Sequence, residues 1–578
     1  MLKFHRSLLF VLLAGTIVGI AAFGSALSAQ EAPVEEFAAG SSSSDITASL
    51  PAAETHINSS AALDPVDAAS RVDSFLSREA HLQGEPAVLT DDATFLRRVH
   101  LDLVGEAPTP DEVMDFVLDT DEAKREDVVA QLLGSAKFGQ NWARYWRDVI
   151  LYRQSDPRGN IAEQSLIRYL EDQFNEGASW RQVAKDFITA TGNVRENGET
   201  AFYMAHFGNG EEVAAEFSRV FLGIQIQCAQ CHDHPTDRWK REQFHELAAF
   251  LPRVQVRAVQ NDSGPRTFQV QSRENLGRRG RNQQANRRPA RGPEHYMSDL
   301  EDPSSRGTLM RPRFFVNSKV IPEGQSDERR RNALAAMMTS KENPWFAKAF
   351  VNRVWAEMLG EGFYEPIDDL GPDRQCSAPE TMDFLCEQFI AADYNVKWLY
   401  ETIANTDAYQ RVSRARRDYT EDAFAANCPQ RLRGDQLYDI LTEVLGGSNV
   451  GAARGRGNQR GRQNQRTAFN TTFGYDPSVP RDEVTGSIPQ ALYMMNSQPI
   501  TAGTQAARPG SALAQILREF PKNDEAVTEL YLRCLARVPS KDELQTCRDY
   551  LAGIDSRAEG IEDIFWVLIN TAEFLHRN

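Results

Sequence analysis

The stretch Glu211-Glu-Val-Ala-Ala-Glu-Phe-Ser-Arg-Val-Phe-Leu-Gly-Ile-Gln-Ile-Gln227 places Val213, Phe217, Val220, Phe221 and Ile224 on one face of a helix. It leads into Cys228-Ala-Gln-Cys231-His232-Asp233-His234-Pro235, where Pro235 helps to stop it. A second apolar periodicity, Trp239, Phe244, Leu247 and Phe250, follows at once. The cysteines are therefore expected at a helix-to-loop junction, braced by packed helices on both sides. Such support suits a rigidly held cofactor or a structural metal.

The same periodicity extends outward. Before the motif, Val72, Phe75 and Leu76 recur at helical spacing, then Phe95, Val99, Leu101 and Leu103. Thr109-Pro110-Asp111-Glu112 is a helix start, with Thr109 as N-cap, Pro110 in the first turn and two acids at the positive end of the helix dipole. Further helices fit residues 125–133, 142–152, 162–174 and 180–188. After the motif, Asn343 caps an aromatic helical stripe ending near Trp355, and later helices fit residues 382–390, 397–404, 435–445, 512–518, 526–535, 541–551 and 561–574. The fold class expected is mainly α: two helical domains, 65–256 and 313–578, separated by a low-complexity Arg-rich segment at 257–312, with irregular long loops.

Composition marks the remaining parts. Lys3 and Arg6 precede an uncharged apolar stretch from Leu8 to Phe23 and small residues through Ala29. This reads as a signal peptide over 1–29; the alternative is an uncleaved anchor, the one reading that ties the protein to a membrane. Residues 30–64, with Gly40-Ser41-Ser42-Ser43-Ser44, are too poor in apolar groups to fold and read as a tether. Seven arginines against one glutamate lie between Arg273 and Arg291, and five arginines with no acid between Arg454 and Arg466. Both segments, the second as a loop at 450–467, read as disordered surface insertions, with polyanion binding as the alternative. The formal net charge of −17 in 578 residues gives no strong nucleic-acid signal. Glu365, Asp368, Asp369 and Asp373 crowd one turn, which turn chemistry explains as well as a Ca2+ site does. Five cysteines stand outside the motif, and Cys534 with Cys547, on successive predicted helices, is the favoured disulfide.

The first block resembles the planctomycete cytochrome-like family, domain of unknown function 1549. The resemblance rests on Arg97 to Gly105 with Pro108-Thr109-Pro110, on Trp142-Ala-Arg-Tyr-Trp146, and on Val220 to Gly223 continuing through Cys228 to Pro235. The second block resembles that family's usual C-terminal partner, domain of unknown function 1553, in Asn343 to Trp355, Pro366 to Pro372, Asn405 to Tyr409, Arg431 to Leu437, Ala491 to Ser497, Tyr531 to Pro539 and Asn570 to Leu575. The resemblance implies a large exported protein, often joined to a cytochrome-c-like domain, without an established reaction.

Three chemistries compete for the motif. In a c-type haem site Cys228 and Cys231 bond the haem vinyl groups and His232 ligates the iron, with Met204, His206, His234 or His245 for the sixth position. For zinc, Cys228, Cys231, His234 and His245 are ligands of the usual types, and His232 is a further metal-binding imidazole. The third reading is a small Cys228–Cys231 disulfide loop with packed histidines. An oxidising exported compartment works against a bare zinc dithiolate. Protease and hydrolase signatures are missing: His245-Glu246 opens HExxF, without the second histidine of a zinc protease, and no GxSxG occurs. Two function classes remain: an exported haem-c redox protein with an envelope or redox partner, and a non-catalytic envelope interaction protein.

Overall fold

The computed structural model describes residues 61–79, 86–259, 266–273, 293–414, 423–446, 458–481, 484–508 and 511–578; side chains are described throughout except at 458–464. The protein is mainly α, with a few short strands. Its helices begin where side chains can absorb free N–H groups. Thr109 closes a capping box with Glu112 at the start of Pro110–Leu118, Asn343 caps Pro344–Leu359 through the Trp345 N–H, and Ser540 with Glu543 does the same for Lys541–Ala552. In Ala136–Leu151 the recurrence of Phe138, Trp142, Tyr145, Trp146 and Val149 buries one whole face.

The two helical regions follow in the expected order and share one core. Phe350, from the second region, stacks on Trp146 at 5.5 Å and 8°, lies 4.5 Å from Trp180, and stacks on Phe389 at 5.3 Å. Trp180 in turn meets Phe221, on the helix before the cysteine motif. Each such pair contributes about 0.5–1.5 kcal/mol beyond its buried area. The polar counterpart is at Arg97 and Arg98. Arg97 donates to the carbonyls of Glu573, Phe574 and His576, and Arg98 to those of Tyr409, Arg411 and Asn578. Both guanidiniums are buried, so these carbonyls replace the water they have lost.

Three expectations are corrected. Where the Arg-rich segment was expected from residue 257, a hairpin begins: Val254–Val259 pairs antiparallel with Thr267–Ser272, which also pairs with Gly192–Asn193. Val254, Val256, Phe268 and Val270 alternate onto the core face, a period-two signal short enough to be hidden by the neighbouring arginine run. The loop expected over 450–467 gives way to a helix, Asn458–Phe473. Its composition is polar, but Phe469 stacks on Phe473 at 4.2 Å and meets Tyr438, while Arg466 donates two bonds to Asp439. Cys534 and Cys547 are not joined; both are buried thiols, and burial pushes Cys547 up to about 12. The leader at 1–29, the tether except residues 61–64, the 274–291 part of the arginine run, and residues 450–457 lie outside the described residues. Among the described residues no helix is long and apolar enough to cross a membrane.

Candidate functional site

The helix that carries the motif, Gly210–Leu222, is capped at its start by Asn209, which accepts from the Glu211 N–H. It stops earlier than expected. Gly223 adopts the left-handed conformation, φ 64°, its N–H bonding Arg219 O and the Ile224 N–H bonding Ser218 O, so the helix closes its own carbonyls. The chain then forms a short 3-10 turn, Ile226–Gln230, anchored by buried Ile226 and Ala229. Burying those two residues leaves Cys228 and Cys231 on the outside, both exposed and unbonded. The disulfide reading of the motif is thereby corrected: the sulfurs are two free thiols.

The histidines divide into distinct roles. His232 is exposed, with Nδ1 2.6 Å from the Asp233 carbonyl. That contact requires the proton on Nδ1 and leaves the lone pair on Nε2. His234 spends both nitrogens on the loop: Nδ1 accepts from the Thr236 N–H and Nε2 donates to Gln225 O at 3.2 Å. Asp233 fastens the exit of the loop, with Lys240 at 2.8 Å and the Arg241 N–H at 3.1 Å. Met204 is fully buried in the core, and His206 is buried with Nδ1 3.0 Å from Ser155 Oγ.

Beneath the motif lies a buried charge network. Arg219 bonds Glu216, Asp368 at 3.0 Å, Ser478 and the Val149 carbonyl. Asp368 is also 3.4 Å from Arg353 and accepts from Gln225 Nε2 at 2.8 Å. Burial raises the Asp368 carboxyl, but the Arg219 and Arg353 charges outweigh that and hold it below the usual range. This gives Asp368, one of the four carboxylates of the turn at 365–373, a structural role, and Asp369 pairs separately with Arg374 at 2.8 Å. A cavity of about 220 Å³ is lined by Arg153, Glu216, Arg219, Gln225, Gln227 and Cys228.

His245 joins neither thiol. It is buried, and its Nδ1 lies 2.8 Å from Nε2 of His295, which is itself 3.8 Å from Glu211 Oε1. Among the described residues, these three are the one group of His, Cys, Asp or Glu donors whose atoms all lie within 4.8 Å of one another. The set Cys228, Cys231, His234 and His245 does not come together. Nothing in the sequence pointed to His295, a solitary histidine after the arginine run with no telling spacing to Glu211 or His245. Burial, reinforced by His245, pushes His295 down to about 4, with Glu211 opposing; burial also lowers His245.

With this geometry in hand, residues 71–256 match the model of PSCyt2, a protein of unknown function (DUF1549), and residues 330–551 that of PSD1, a protein of unknown function (DUF1553). The chain carries PSCyt2 and PSD1 in tandem. No curated protein and no solved structure matches it. The PSCyt2 region contains both thiols and His232, while His295 lies between the two matched regions.

The residues present fit a covalently attached haem. Two accessible, unbonded thiols stand three positions apart on one turn. His232 follows immediately, its Nδ1–H held by a backbone carbonyl in the way that orients metal-ligating imidazoles.

Proposed function

We propose that this PSCyt2–PSD1 protein is an exported redox protein that holds haem c at Cys228, Cys231 and His232 and passes single electrons to a partner in the cell envelope. The supporting observation is the simultaneous exposure of both free thiols beside an imidazole whose Nε2 carries the lone pair. Haem supplies one-electron iron chemistry when bound. Cys228 and Cys231 are the anchoring nucleophiles, because only accessible sulfur can react without unfolding the turn. His232 is the iron ligand, and the Asp233 carbonyl holds its Nδ1–H and so fixes the ring's orientation. The buried Asp368–Arg219 network, reached through Gln225, keeps the turn rigid beneath them. The Lys3–Ala29 stretch, read as a leader, supports export, which would bring the thiols to the compartment where such attachment takes place.

A second reading is a non-catalytic envelope interaction protein whose motif is a structural clasp. The observation that favours it is His234, which ties both ring nitrogens into the loop. One experiment separates the two. The chain is expressed with its leader in a host carrying the cytochrome c maturation machinery, and a reduced pyridine haemochrome spectrum is recorded. We expect near one haem per chain in the wild type and none in Cys228→Ala or Cys231→Ala. A haem-free wild type sinks the redox proposal and leaves the clasp.

A further inference from the structure

We propose a second, independent metal site: Glu211 Oε1, His245 Nδ1 and His295 Nε2 together bind one divalent transition ion of the Zn2+ class. Two imidazoles and a carboxylate are a ligand set of borderline-soft metals, and three protein ligands leave a further coordination position for water. The three atoms come from separate parts of the chain, the first turn of the Gly210–Leu222 helix, the Arg241–Ala248 helix and the segment leading to Tyr296. They nevertheless lie within 4.8 Å of one another, with the two imidazole nitrogens 2.8 Å apart. Ligands about 2.0–2.2 Å from a tetrahedral ion sit roughly 3.3 Å from each other, so small side-chain adjustments complete the shell.

The groups around the three donors strengthen this assignment. His245 Nε2 lies 3.0 Å from the Gln230 carbonyl, which takes the ring proton and frees Nδ1. The side chain of the same Gln230 donates to Glu211 Oε2 at 2.6 Å, leaving Oε1 for the ion. Imidazole and carboxylate are thus each oriented by a partner on their far side, the arrangement that metal sites use to fix their ligands. His245 is 3 % exposed and the side chain of His295 10 %, so water competes weakly with both. Gln230 also lies between Cys228 and Cys231 in the 3-10 turn. An ion held here fixes the turn from behind without touching either sulfur.

Because free thiols also bind zinc, the experiment uses variants that separate the two sets. The full mature chain, stripped with a chelator, is titrated with Zn2+ against a chromogenic competitor, and Co2+ spectra are recorded on the same preparations. The Cys228→Ser/Cys231→Ser variant should keep one tight equivalent, and its Co2+ spectrum should lack thiolate charge-transfer bands. His295→Gln should lose that equivalent in the same background without Cys228 and Cys231, and Gln230→Ala should weaken it about 10–100-fold, with unchanged circular dichroism. Should the equivalent vanish with the cysteines, or survive His295→Gln, the proposal is overturned. This outcome is independent of the haem result, which is read from Cys228 and Cys231 alone.

Discussion

Asp368 has almost no water to share its charge with, being 1 % exposed, and it depends on Arg219, Arg353 and Gln225 instead. Removing one partner of such a group strands the others, at a cost of about 3–5 kcal/mol. Asp368→Ala is therefore expected to lower the thermal unfolding midpoint sharply at neutral pH. The sign with acid follows from the depressed carboxyl: its contribution is present above the ordinary value of 3.8 and is lost as pH falls below it. The midpoint of the wild type should thus fall more steeply than that of Asp368→Asn below pH 3.8; parallel acid limbs would refute the assignment. At this scale the sequence told the reader a great deal about Cys228, Cys231 and His232, because their chemistry is local to five residues. It told little about Asp368 and His295, whose partners Arg219 and His245 lie 149 and 50 positions away. Both the hidden ion pair and the hidden imidazole contact are products of tertiary folding, which no spacing rule carries.

Among the elements, the turn at Gly223 decides where the motif points. A Cβ added there would lie 2.7 Å from Leu370 Cδ1, and φ 64° is unfavourable for any other residue. Gly223→Ala is expected to cost about 1–2 kcal/mol from the left-handed backbone alone, with more from moving Leu370. Gly134→Ala, where the added methyl meets nothing within 4 Å, is the matched control and should be neutral or slightly stabilising. Chemical denaturation of both variants checks this; equal midpoints would remove the argument for a strained turn. Helix starts at Thr109 and Asn343 were legible because capping chemistry is carried by one or two side chains. The hairpin at 254–272 and the helix at 458–473 were not, since each owes its place to a few apolar residues set among polar ones. Composition averages such residues away, whereas packing responds to each.

For the whole molecule, the stack Trp146–Phe350–Phe389 makes the two family regions one mechanical unit. Phe350→Ala should cost about 3–5 kcal/mol. Through wild-type unfolding, hydrogen exchange of the peptides carrying Trp146 and Trp180 should coincide with labelling of Cys534, buried in the second region and read on its own peptide by mass spectrometry. Two separated transitions would show the regions to be independent after all. Sequence periodicity announced two helical blocks and their order, but the faces of Trp146 and Phe350 are simply apolar until folding brings them together. The bonds from Arg97 and Arg98 to carbonyls between residues 573 and 578 carry a consequence in time. Closing a loop of some 480 residues costs roughly 5 kcal/mol in chain entropy, so these clasps form late, after local helices have shortened the effective path. Until they shut, the two guanidiniums and the carbonyls they will bond stay with water, so this seam closes after the helices that it joins.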